Sequence, residues 1–297
     1  RRRPAGARAV RRREVTVAEA PSRSTGTAPI LAVSGRQAIE REELLVGEEP
    51  LELRACGPGQ KPVDIAVTMR TPGDEADLAV GFLISEGLVR PADLAGARCE
   101  PGHPGRMALP ENEMTVRLSS RFDAARVAKR TFIATASCGI CGKASIDDIV
   151  GRCEPVGAGP VVGRSVLIGL PDAMRRAQPV FASTGGLHAA ALFSPAGQLV
   201  EVREDVGRHN ALDKVIGARM LAGDTSLSSH VLLVSGRVSF EIVQKAAMAG
   251  LALLAAVSAP SDLAIATAER LGMTLVGFLR GDRFNIYLGR ERIDLSD

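Results

Sequence analysis

The chain has 297 residues, 45% hydrophobic but only 3% aromatic, with no Trp and one Tyr, so its core must be aliphatic, a composition compatible with an α/β fold. Its net charge of +3 rests on the opening stretch RRRPAGARAVRRR, with seven Arg and no acid; the slightly acidic remainder argues against nucleic-acid binding by the folded part. Five cysteines without a framework spacing exclude a disulfide-stapled secreted fold, and reduced thiols are expected.

Residues 1–40 are rich in Arg, Ala, Ser and Pro without sustained periodicity, and read as a disordered basic lead-in. A signal peptide needs an apolar stretch after its basic region, whereas Val15–Ile30 is mixed and polar. The longest weakly polar run, Ala246–Pro260, is shorter than a bilayer span and reads as a buried helix followed by a strand. A cytoplasmic protein with no membrane partner is therefore expected.

Residues 41–125 read as a small α+β domain. Val63–Met69 alternates as a strand, and Thr71-Pro72-Gly73-Asp74-Glu75 has the composition of a helix start, with Thr as N-cap and Pro in the first position. The helix runs to about Gly87 with Leu78, Ala79, Phe82 and Leu83 on its apolar face. In EMTVRLS, Met114, Val116 and Leu118 alternate with polar residues, as in a strand with one buried face.

Residues 126–297 have a different rhythm. Gly185–Glu204 reads as a hairpin turning at Ser194-Pro195-Ala196-Gly197, and a helix from about Arg208 follows it. HVLLVSG, LLAAVS and MTLVGFL then read as strands separated by the helical segments SFEIVQKAAMAG and SDLAIATAERLG. Such alternation implies right-handed crossovers and a largely parallel sheet in a three-layer α/β/α domain, closed by an antiparallel RFNIYLG.

Two of the cysteines lie in TASCGICGK, where Cys138 and Cys141 are spaced C-x-x-C before a helix-competent ASIDDIV. A helix N-terminus and Lys143 both stabilise a thiolate, and the flanking glycines leave the backbone free to expose it, so a reactive thiol is the natural reading. The alternatives are a packed pair, a redox pair, and a zinc site completed by Cys99 and His103. Zinc-dependent nucleotide deaminases also use C-x-x-C, but with Pro before the first Cys and an upstream H-x-E or C-x-E; here Ser137 precedes Cys138 and neither pattern occurs.

Four polar clusters fall at expected strand ends: Ser183–His188, Arg203–Asn210, Ser235-Gly236-Arg237 and Phe278–Arg283. Each joins Gly to hydroxyl or guanidinium groups, a combination that cradles phosphates at the carboxyl ends of parallel strands. Singly, each also reads as structure, for example Glu204, Asp205, Arg208 and His209 as an ion-pair network at a helix start. If their loops share one sheet edge, they make a site for an anion such as a nucleotide.

With EEPLELR, MRTPGDEADLAVGFLISEG, TASCGICGK, STGGLHAAAL, EDVGRHNALDKVIG, SGRVSFEIVQKAAMAG and VGFLRGDRFNIY in this order, the chain resembles the formate dehydrogenase accessory sulfurtransferase family, FdhD, from about Glu48 nearly to its end. The resemblance implies a homodimeric sulfur carrier that takes sulfur from a cysteine desulfurase as a persulfide and passes it to the molybdenum cofactor before insertion into formate dehydrogenase. It places the persulfide on Cys138, with Cys141 as the second cysteine of the pair. It also places the bis(molybdopterin guanine dinucleotide) form of the cofactor on Phe278, Leu279, Arg280, Gly281, Asp282 and Arg283. The fold implied for the second half is cytidine-deaminase-like without its zinc set. A cofactor-binding chaperone that transfers no sulfur is the alternative from a different class.

Overall fold

The computed structural model describes residues 23–102, 112–127 and 153–297. It opens with a hairpin, β1 (Thr25–Ser34) and β2 (Gln37–Val46), paired in register through the two-residue turn at Gly35-Arg36. The end of the expected disordered lead-in is therefore strand. Most side chains on both faces of this hairpin are exposed, so the apolar–polar alternation that marks a half-buried strand never develops. What remains is Gly35 at φ +58°, where a glycine carries no steric penalty.

A four-stranded sheet follows, built from β3 (Glu49–Cys56), β4 (Val63–Arg70), β5 (Arg98–Pro101) and β6 (Glu113–Arg117) in the order β4-β3-β6-β5. Between β4 and β5 runs α1 (Glu75–Ser85), which is buried continuously from Leu78 to Ser85. Thr71 does not cap it. The N-cap is Asp74 in the left-handed region at φ 59°, and Thr71 is drawn into the second half of the chain: its N–H donates to Asp205 Oδ2 at 3.1 Å and its Oγ1 accepts from Val206 N at 3.1 Å. A buried carboxylate and an otherwise unsatisfied amide outcompete the local cap.

The second half contains β7 (Val162–Gly163), α2 (Arg164–Arg176), the short α3 (Pro179–Thr184), β8 (His188–Phe193), β9 (Leu199–Asp205) and α4 (Arg208–Leu221). It continues through β10 (Val231–Val234), α5 (Phe240–Met248), β11 (Leu253–Ala256), α6 (Asp262–Arg270), β12 (Thr274–Arg280), β13 (Arg283–Leu288) and β14 (Ile293–Asp294). Six of these strands form one sheet in the order β13-β12-β11-β10-β8-β9.

Neighbouring strands pair in parallel only across β10, β11 and β12; β8 runs antiparallel to β10, and antiparallel hairpins close both edges. The sheet is thus less parallel than the alternation of strands and helices suggests. A hairpin pair such as β8–β9 has no crossover helix, and its direction against β10 is a tertiary choice. VLLV and LLAA, buried on both faces, lie at the centre. One face packs on α4, α5 and α6 through Leu192, Leu232 and Leu254; the other packs on α2 through Phe193, Leu233 and Leu253. The chain is a mixed α/β protein.

The halves are joined where α1 crosses α4. A Cβ on Gly81 would stand 1.7 Å from Asp213 O, and one on Gly217 would stand 1.8 Å from Asp77 O, so only hydrogen fits at either position. At the same crossing Lys245 Nζ reaches Asp213 Oδ2 and Glu86 Oε1, both at 2.9 Å, and Ser85 Oγ donates to Asp213 Oδ1 at 2.6 Å. Burial works against the Lys245 charge, yet Asp213 and Glu86 hold the ammonium above its usual range.

Gly81→Ala should lower stability by about 3 kcal/mol, the upper end of typical overpacking costs, in urea denaturation. Gly169→Ala, at an exposed α2 position with nothing within 4 Å of the new Cβ, should instead raise it by about 0.5–1 kcal/mol.

Candidate functional site

The four polar clusters do share one edge of the six-stranded sheet. His188, at the start of β8, pairs with Asp205 at the end of β9; Ser235-Gly236-Arg237 follows β10 next to them; and Phe278–Arg283 spans the end of β12 and the turn into β13. A cleft of about 630 Å³ opens along this edge, lined by Gly185, Gly186, His188, Ser235, Arg280 and Gly281, with Arg175 of α2 and Phe181 of α3 as its far wall. Its position outside the carboxyl ends of the parallel strands is where open α/β sheets bind ligands.

The Arg280 side of the cleft is shaped by an irregular stretch of β12. Pairing with β13 breaks between Gly277 and Arg280, where Phe278 adopts φ 53°. A left-handed aromatic residue costs about 1–3 kcal/mol, and the bulge uses that strain to turn Phe278 outward, bury Leu279 in the core and aim Arg280 at the cleft. Arg280 Nε donates to Val257 O at 2.9 Å, leaving its two Nη groups without a partner among the described residues. Arg280 also stands directly across the hairpin from Arg283. Like charges in that position destabilise a hairpin, and an anion between them would remove the penalty.

At the other end, His188 is half-buried, and its pKa is lowered by burial and then by the charges of Arg208 and Arg237. The imidazole is therefore neutral at pH 7. Neither arginine has an ion pair among the described residues, and Arg208 Nε is buried without a hydrogen-bond partner. Of the residues lining the cleft only Asp172 is acidic, so the field there is positive.

The carboxylates of the 203–210 cluster are committed to structure. Glu204 accepts from Val180 N and Phe181 N at 3.1 and 2.8 Å, capping α3. Asp205, fully buried, pairs with Lys214 at 2.9 Å and accepts from Gly207 N and Asn210 Nδ2 at 2.8 and 3.1 Å, which fixes the turn leading to Arg208. Arg203 is held by Asp77 at 2.8 Å. The expected ion-pair network of Glu204, Asp205, Arg208 and His209 does not form: Asp205 pairs with Lys214, Glu204 binds backbone amides, and His209 faces Ser239 at 3.4 Å.

The sequence profile of the FdhD/NarQ family matches residues 46–294. The chain belongs to that family. Among its relatives in the family, Sulfur carrier protein FdhD of Mycobacterium tuberculosis is 48% identical over 270 residues, covering 88% of this chain and 95% of that protein. The protein of the same name from Streptomyces coelicolor is 49% identical over 265 residues, covering 86% and 90%. The crystal structure of a proposed formate dehydrogenase accessory protein from Desulfotalea psychrophila superposes with a TM-score of 0.68 at 22% identity, over 91% of this chain and 99% of that one, a likeness of fold.

Within this FdhD/NarQ chain, three of the six residues expected to hold the cofactor, Leu279, Arg280 and Gly281, line the cleft. Phe278, Asp282 and Arg283 do not line it, although Arg283 stands across the hairpin from Arg280. Cys138 and Cys141 lie outside the described residues, as does His103. Cys99, the other thiol of the zinc alternative, has its pKa pushed up to about 11 by burial and by the charge of Asp77. Among the described residues no helix is long and apolar enough to cross a membrane.

Sequence reasoning missed Arg175 and Phe181, whose guanidinium and ring stack at 4.0 Å. Nothing in the local pattern marks them; α2 and α3 carry no recognisable motif, and only packing brings them to the cleft.

His209, behind the cleft, has a pKa pushed down to about 4 by burial and by Arg208 and Lys245. A neutral folded histidine means that the unfolded chain takes up the proton first as pH falls from about 6.5 towards 4. This contribution to stability is complete above pH 6.5 and is lost progressively below it, by about 3 kcal/mol from the one group. Urea midpoints at pH 7 and pH 4.5 should differ clearly in the natural protein and by much less in His209→Gln.

Proposed function

We propose that this FdhD/NarQ chain is a sulfur carrier for formate dehydrogenase maturation, loading sulfur as a persulfide on Cys138 and holding the molybdenum cofactor, as cargo, in the Arg280 cleft. The observation that carries the cofactor half is the convergence of Gly185-Gly186, Ser235 and Arg280-Gly281 on one electropositive cleft. Guanidinium forks, left-handed glycine backbone at Gly185 and Gly281, and a single acidic lining residue suit a guanine nucleotide diphosphate. The family match and the relatives named Sulfur carrier protein FdhD support the sulfur half, with the C-x-x-C pair as the chemically competent group.

The loading step balances without an oxidant. The Cys138 thiolate attacks the outer sulfur of a desulfurase persulfide; the new S–S bond forms on Cys138 as the old one breaks, and the desulfurase cysteine leaves as a thiolate. A cysteine desulfurase and formate dehydrogenase are the partners this chemistry requires, and a cytoplasmic homodimer is the setting we propose.

Intact-protein mass spectrometry after incubation with a cysteine desulfurase and cysteine should show one added sulfur mapped to Cys138, removed by mild reduction and absent from Cys138→Ala. An unloaded protein beside a competent desulfurase would leave a cofactor chaperone as the function. In titration calorimetry Arg280→Ala should bind guanosine diphosphate about tenfold more weakly, the worth of one charge-assisted fork. Equal affinities would remove the cleft from the mechanism.

A further inference from the structure

The far wall of the cleft is set by a carboxylate that does not line it. α3 has only six residues, and its first turn has few donors to satisfy: Pro179 carries no N–H, and Ala182 N donates to Gln178 O at 3.0 Å. The two that remain, Val180 N and Phe181 N, are taken by Glu204 of β9, one on each carboxylate oxygen, at 3.1 and 2.8 Å. At the other end Gly185, at φ +69°, donates its N–H to Phe181 O at 2.7 Å. A Cβ on the next residue, Gly186, would stand 3.3 Å from Val46 Cγ1 of β2, so α3 is held at its end as well as at its start.

What α3 carries into the cleft is Phe181, and what Phe181 orients is Arg175. The Arg175 guanidinium lies 4.0 Å from the centroid of the ring and has no ion pair or hydrogen bond among the described residues. A long side chain held by a ring face alone follows the ring when it moves. The position of this positive group therefore depends on α3, and the start of α3 depends on Glu204.

We infer that Glu204 is a positioning residue of the cleft: through the first-turn amides of α3 it places the Phe181 ring, and the ring places the Arg175 guanidinium against the ligand. This inference rests on the cleft reading above and adds a residue that does not touch the cargo. The neighbouring acid has a different task, since Asp205 pairs with Lys214 and fixes the turn before α4 through Gly207 N and Asn210 Nδ2. Consecutive residues of a strand point to opposite faces, so β9 sends one carboxylate to the cleft wall and the other to the core.

The test is a double-mutant cycle on the full chain, read as guanosine diphosphate affinity in titration calorimetry. Glu204→Ala leaves two helix-start amides without a partner and should bind the nucleotide about fivefold more weakly, the worth of one oriented guanidinium–ring contact. Arg175→Ala should weaken binding to a similar extent. In the Glu204→Ala/Arg175→Ala double variant the loss should be no greater than in Arg175→Ala alone, because Glu204 acts through that guanidinium. Glu204→Gln keeps one carbonyl oxygen as an acceptor and should fall between the natural protein and Glu204→Ala.

Losses that add in the double variant overturn the inference, since a residue that only supports the fold lowers affinity whether or not Arg175 is present. Weaker binding in Glu204→Ala beside an unaffected Arg175→Ala overturns it for the same reason. Equal affinities in Glu204→Ala and the natural protein, with Arg280→Ala weakened, sink the role of Glu204 and leave the cleft reading intact. Full-strength binding in both Arg280→Ala and Arg175→Ala removes the cleft reading and this inference together. If Glu204→Ala does not fold, Glu204→Gln carries the same cycle with Arg175→Ala.

Discussion

The arrangement of this protein depends on a close approach of two helices at Gly81 and Gly217. With hydrogen at both positions, α1 and α4 meet backbone to backbone, and the polar groups that this contact buries must find partners inside it. Ser85, Asp213, Lys245 and Glu86 do so on one side of the crossing; Thr71, Asp205, Lys214 and Asn210 do so near its start. Removing one member of such a buried pair leaves an uncompensated charge, which costs far more than the pair contributes, so the network specifies one docking geometry.

That docking reaches the cleft through Asp205. Its carboxylate binds the amide of Thr71 from the first half and fixes the turn that delivers Arg208. The acids along this stretch are thus spent inside the fold, and the cleft is lined by Arg175 and Arg280 with Asp172 as its one acidic residue. An electropositive site results without an excess of basic residues, since the chain beyond its Arg-rich start is slightly acidic. Charge separation is produced by what is buried, and composition does not reveal it. The bulge at Phe278 belongs to the same logic, with backbone strain in β12 giving Arg280 its direction.

Much of the secondary structure was legible locally. The central strands VLLV and LLAA, the helices after Ser239 and Ser261, the 194–197 turn and the end of α1 near Gly87 follow from run length, capping residues and glycine, all of which act over a few positions. The failures have a different range. Thr71 has the composition of an N-cap but is held by Asp205, which lies 134 positions away, and β1–β2 shows no alternation because it has no buried face. The direction of β8 against β10 likewise had no local signal.

The sequence by itself determined the family, the C-x-x-C spacing of Cys138 and Cys141 and the four segments that could meet an anion, because motif spacing and residue chemistry are properties of short stretches. Only the tertiary structure decided that those segments share one edge, that Arg175 and Phe181 wall the cleft, that Glu204 and Asp205 are structural, and that Arg208 Nε is buried without a hydrogen-bond partner. The physical reason is that a side chain's charge is available to a ligand only if no internal partner takes it. Partners are assigned by packing between elements far apart in the chain.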